Sequence, residues 1–146
     1  MSDFLKAEIT VRSVIDEIGE DGFPTGEPEI TLITEEGVIA SRGDFTALEY
    51  TERGEGGEVQ CRLILKPDGS IHLSRSGAVE CRLDFAEGKT VKTLYRVPPY
   101  SFDMTLTTQK IRKAVRERDG EIALFYTMNV GGRDTKVNMK IGYRLK

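Results

Sequence analysis

Apolar side chains recur at every second position through most of this chain, and tight turns interrupt the alternation at hairpin spacing. Leu5, Ala7, Ile9 and Val11 alternate with Lys6, Glu8, Thr10 and Arg12, the pattern of a strand with one buried face. Val59, Cys61, Leu63 and Leu65 repeat it as far as Pro67-Asp68-Gly69. That tripeptide suits a three-residue hairpin: Pro presets φ, Asp continues a type I turn, and Gly takes the left-handed position. Pairing Lys66 with Ser70 sets Leu65 against Ile71, Leu63 against Leu73 and Cys61 against Arg75. A slip of one residue would turn one of the two apolar faces outward, so the register is strongly specified.

The same logic extends along the chain. A turn near Ser76-Gly77-Ala78 carries Val79, Cys81, Leu83 and Phe85 on the same face and predicts Cys81 opposite Leu73. A Gly131-Gly132 turn sets Met128 against Thr135, Tyr126 against Val137, Leu124 against Met139 and Ile122 against Ile141. Further strands are expected at 29–35 and 38–41, joined at Glu36-Gly37, and at 44–52 before the glycine-rich loop 53–57. Val91, Thr93, Tyr95 and Val97 lead to a Pro98-Pro99 corner, followed by Phe102, Met104 and Leu106. Segment 109–118 carries Ile111, Ala114 and Val115 at helical spacing, but Asp119-Gly120 before Ile122, Leu124 and Tyr126 is a hairpin signal that favours a strand. A bulge near Thr107-Thr108 would reconcile the phases on either side. Residues 16–28, with three glycines, two prolines and five acidic residues, read as an exposed loop.

The 146 residues contain no linker, so residues 1–146 are expected to form one domain. Many antiparallel strands in succession predict an all-β fold, an antiparallel up-and-down meander closing into a barrel. At about eight strands such a barrel is filled by its own side chains or has room for one small ligand. A net charge of −3 from 21 basic and 24 acidic side chains argues against nucleic acid as the partner. The start of the chain lacks a basic segment followed by an apolar run, and no stretch is long enough to span a membrane, so a soluble, cytoplasmic protein is expected. Cys61 and Cys81 fall two strands apart, roughly twice ~4.8 Å, beyond the about 7 Å between Cα atoms that a disulfide allows; free thiols are expected. His72, the single histidine, has the outward phase. No metal site and no cofactor are expected.

The stretches Arg75-Ser76-Gly77-Ala78-Val79 and Phe85-Ala86-Glu87-Gly88-Lys89, with Tyr95, Pro99-Tyr100, Thr107-Thr108 and Asp119-Gly120, resemble the YwiB-like family of small bacterial proteins. The resemblance runs from about Glu8 to Lys146, and the Arg-Ser-Gly-Ala-Val turn is its most specific piece. It implies a domain of unknown function, a calycin-like (lipocalin- or fatty-acid-binding-protein-like) β-barrel in a bacterial cytoplasm, and supplies no reaction. The Gly-x-Trp of lipocalins is missing. Tyr143-Arg144 are adjacent, so they point to opposite faces and cannot stand for the Arg-x-Tyr pair of fatty-acid-binding proteins.

Arg75 shares the inward phase of Ile71 and Leu73. It either meets a carboxylate or phosphate of a ligand or reaches out to cap loop carbonyls. Tyr95, Tyr126 and Tyr143 also have the inward phase, as packing residues or as hydroxyls that orient a ligand. Lys110, Arg112, Lys113, Arg116 and Arg118 form a basic strip, read as a strand edge guarded by charge. Lys113 is its awkward member, since pairing across Asp119-Gly120 sets it beside Tyr126; either the bulge rotates it outward or it is a second cation inside. The leading functional expectation is a non-enzymatic binder of a small, partly apolar or anionic ligand. A filled barrel acting as an interaction or structural module, dimeric or not, is the alternative. A small Tyr/Arg-dependent enzyme is a third reading, and needs an inward acid that neither Glu80 nor Asp84 provides.

Overall fold

The computed structural model describes residues 4–146. Ten antiparallel strands form one sheet: β1 (Phe4–Ile18), β2 (Glu29–Arg42), β3 (Phe45–Gly54), β4 (Gly57–Leu65), β5 (Ile71–Gly77), β6 (Cys81–Phe85), β7 (Thr90–Val97), β8 (Tyr100–Val115), β9 (Asp119–Val130) and β10 (Arg133–Leu145). Every strand pairs with its neighbours in sequence except β6 with β7, and β1 pairs with β10 from Ala7↔Leu145 to Ile18↔Asp134. The chain is therefore an up-and-down barrel whose seam lies between β6 and β7. At one end of the seam Glu80 and Arg96 exchange two backbone hydrogen bonds of 2.8 and 2.9 Å. At the other, Thr108 accepts from Gly88 N–H and donates to Lys89 O.

The alternating pattern reaches the core as expected. Ile9, Leu48, Leu63, Ile71, Phe85, Leu106, Ile122, Leu124 and Ile141 are all less than 2% exposed. The Lys66–Ser70 hairpin forms with Leu65↔Ile71, Leu63↔Leu73 and Cys61↔Arg75, and Gly69 has φ +90°. The Gly131-Gly132 turn gives all four expected pairs. Segment 109–118 is strand as far as Val115, and the register shifts between Thr108 and Lys110, next to where a bulge was expected.

Several turns differ from the sequence reading. Glu36-Gly37 is no turn: β2 runs straight through it, and a Cβ on Gly37 would lie 2.3 Å from Glu49 O and 2.5 Å from Ile9 Cδ1. Glycine is there because another backbone passes close by; the chain reverses instead at Gly43, φ +61°. Asp119-Gly120 belongs to β9, paired Val115↔Gly120, so the loop is Glu117-Arg118. Gly120 makes room for the Tyr143 ring, 2.5 Å from where its Cβ would be. The β5–β6 turn centres on Ala78, which pairs Cys81 with Arg75 rather than Leu73. Asp16 to Ile18 extend β1, leaving 19–28 as the exposed loop. Ten strands stand where about eight were expected.

The strand directions sort the turns into two ends. The β2–β3, β4–β5, β6–β7 and β8–β9 turns, with both termini of the described chain, Phe4 and Lys146, lie at one end, and the other five turns at the opposite end.

Candidate functional site: an open-ended cavity around Arg75 and Glu52

The two ends of the barrel are filled differently. Towards the end that holds the termini, large aliphatic residues and Phe85 close the interior. Towards the other end a cavity of about 440 Å³ remains, within the range of small-molecule sites. Met104, Met128 and Met139 line it together with Val11, Ile15 and Ile33, and Tyr126 sits edge-on to Phe85, ring centroids 4.9 Å apart.

Arg75 and Glu52 supply the charge. Period two on β3 takes the inward phase from Leu48 through Tyr50 to Glu52, and the register aligns Tyr50, Cys61, Arg75 and Cys81 across β3, β4, β5 and β6. Arg75 reaches diagonally from β5 to β3, where its Nη2 donates to Glu52 Oε2 at 2.5 Å. The two side chains are 24% and 19% exposed, enough to count the pair as mostly desolvated. Arg75 Nε–H is buried and has no acceptor among the described residues. Since guanidinium can only donate, this is an unused donor beside the cavity. Such orphans are uncommon and call for a partner.

The surroundings keep the other titratable groups neutral. Burial, helped by the Glu52 carboxylate, pushes the Cys61 thiol up to about 11 against the opposing pull of Arg75. Burial raises the Cys81 thiol and holds the Tyr50 and Tyr126 phenols above their ordinary value. Burial also works against the Arg75 charge, but the Glu52 carboxylate opposes it and the net shift is upward, so the guanidinium is held ionised. Both cysteines are buried and free, with Arg75 between them in the register.

The residues singled out in the sequence divide into two groups. Arg75, Tyr95 and Tyr126 all line the cavity. Tyr143 does not: it is buried near the opposite end, its hydroxyl donating to Arg116 O at 3.2 Å, because β10 runs away from the cavity beyond Met139. Lys113 is exposed and pairs with Ile122 instead of Tyr126, a consequence of the turn lying two residues earlier. It is not a second cation in the cavity. Arg75 bonds Glu52 rather than a loop carbonyl, and that partner was not anticipated. The signal was available in the alternation Leu48, Tyr50, Glu52, but a charged residue at the end of a strand reads as a rim position.

The remaining candidates lie outside the barrel. His72 faces outward, Nδ1 2.6 Å from Asp84 Oδ1. The basic strip is exposed: Lys110, Arg112 and Lys113 lie on the part of β8 beyond Thr107, where β7 no longer pairs with it, and Arg116 and Arg118 lie in the loop that follows; Glu87 Oε1 accepts from Ile111 N–H. No cluster of His, Cys, Asp or Glu among the described residues could hold a metal.

Comparison with known proteins agrees with this architecture. The protein described as "Uncharacterized beta-barrel protein YwiB" of Bacillus subtilis (strain 168) is 24% identical over 140 residues, which cover 95% of this chain and 96% of YwiB. The crystal structure of that protein matches all of this chain and 95% of its own with a TM-score of 0.85, at 24% identity. The two share the barrel. Residues 9–141 match the family described as a domain of unknown function, DUF1934. The chain belongs to that family, the YwiB-like β-barrel proteins.

Proposed function

We propose that the protein is a binder of a small molecule, with an apolar body held among the methionines and a polar group at Arg75. One observation carries this reading: a cavity of about 440 Å³ beside a buried guanidinium N–H that meets no acceptor among the described residues. An unmet buried donor costs about 1–3 kcal/mol, which a ligand oxygen would recover. Methionine, flexible and polarisable, suits a site that moulds itself to its occupant.

Ligand binding is favoured over catalysis. Glu52 does provide the inward carboxylate that an enzyme would need, but its tie to Arg75 engages both groups in one another. The outer face supports work in the cytoplasm rather than in a membrane. Cross-strand pairs such as Arg62–Glu49 and Lys140–Glu121 stand where a membrane barrel carries its apolar belt.

The test is solvent extraction of protein purified without denaturation, followed by mass spectrometry, together with titration by the neutral dye Nile red. A single co-purifying small molecule, or a saturable rise in dye fluorescence that Met128→Trp abolishes, is the expected result. A preparation with no extractable species and no dye response contradicts the reading.

A further inference from the structure

The cavity's charge is balanced within itself, and this selects a class of ligand. Among the described residues that line it, Arg75 and Glu52 alone carry charge, one of each sign. The remaining polar lining is hydroxyl or thiol: Tyr50, Tyr95, Tyr126, Cys81, Ser13, Thr31 and Thr135. Resting on the reading of the barrel as a binder, we propose that its ligands are neutral molecules, an apolar body bearing one hydrogen-bond acceptor such as an amide, ketone, ester or hydroxyl oxygen, and that carboxylates are discriminated against.

Hydrogen-bond and charge partners decide the preference. One Arg75 Nη2 donor is already used by Glu52, and the buried donor left without a partner is Nε–H. A neutral oxygen can accept from Nε–H and leave the ion pair intact. A carboxylate has two options in the same space. It can displace Glu52 from the guanidinium, which strands a mostly buried carboxylate without a partner. Or it can sit beside Glu52 as a like charge in an apolar cavity, which raises the free energy of both. No second cation relieves either arrangement: Lys113 is exposed near the opposite end, and Arg82 and Arg96 lie exposed at the β6–β7 seam. An inward arginine alone suggests an anion site; with Glu52 as its partner it becomes a dipolar one.

Two probes of equal chain length separate the possibilities: decanamide and decanoate, each titrated against the Nile red complex near neutral pH. Wild-type protein should release the dye to decanamide at concentrations roughly tenfold or more below those needed for decanoate. Glu52→Gln frees the guanidinium of its counter-charge, and the preference should then move towards decanoate by a similar factor. Equal or better displacement by decanoate from wild type overturns the proposal, whatever the fate of the variant. An unchanged preference in a folded Glu52→Gln protein overturns it too. Should neither the dye nor either probe bind, it is the binder reading itself that fails, and the ligand class falls with it.

Discussion

The two ends of this barrel are made from the same strands, the same alternation and the same hydrogen-bonded register, yet they do different things. At the end that holds the termini, branched aliphatic residues from β1, β3, β4, β5, β8, β9 and β10 meet with less than 2% exposure. At the other, methionine, tyrosine and an ion pair leave about 440 Å³ unfilled. Interior packing at native density resists any change of volume, whereas a cavity wall is already short of neighbours. The difference teaches that period two decides which side of the wall a residue faces, and that its identity decides whether the barrel is solid or hollow at that height.

The largest effect that can break this comparison comes from cutting away volume at each end. Leu63→Ala or Leu124→Ala should cost about 3 kcal/mol in chemical denaturation. Met128→Ala or Met139→Ala should cost about 1 kcal/mol or less, because the removed atoms already face open space. Comparable losses at both ends would mean that the cavity is filled by side chains in solution. Gly37→Ala sharpens the same point at the wall, since its Cβ would meet Glu49 O at 2.3 Å; a loss of about 2–3 kcal/mol is expected.

Next in size is the ion pair. Arg75→Met should destabilise by about 2 kcal/mol, since it strands a mostly desolvated Glu52. The double variant Arg75→Met/Glu52→Gln should regain much of that loss in a double-mutant cycle. No coupling between the two would place the pair in solvent. The alkaline limb of stability gives a related test. The Cys61 thiol is raised from 9.0 to about 11, so the unfolded chain ionises first, and stability present below pH 9.0 should decline as pH rises towards about 11. Cys61→Ala should flatten that decline; a limb of unchanged slope contradicts the burial of the thiol. Smallest of all should be the outer face, where His72→Ala or Asp84→Ala is expected to change stability by less than about 1 kcal/mol.

How much of this was legible in the sequence depended on what fixed each feature locally. Pro67-Asp68-Gly69 and Gly131-Gly132 dictate their turns by φ alone, and the pairs on either side followed. Gly37 and Gly120 carry the same letter for another reason, the close approach of Glu49 O and of the Tyr143 ring, and nothing adjacent in sequence distinguishes the two uses. The misplaced Asp119-Gly120 turn then carried Lys113 to the wrong partner. Arg75, Tyr95 and Tyr126 were found by phase. Tyr143 shared the phase but not the height, because it stands near the end of β10, past the last cavity-lining residue of that strand, Met139. Glu52 was legible in phase and overlooked for its charge. It is the residue that changes the chemistry of the site.

The central claim is that one end of the barrel is solid and the other takes a small neutral ligand. Three of the chain's four methionines line the cavity, so the ¹³C-methyl resonances of Met104, Met128 and Met139, followed by NMR during a decanamide titration beside the isoleucine methyls, report on it directly. The account predicts saturable shifts at these three methionines, with Ile9, Ile71, Ile122 and Ile141 unmoved. Shifts at those isoleucines, or none at the methionines as decanamide is added, would contradict it.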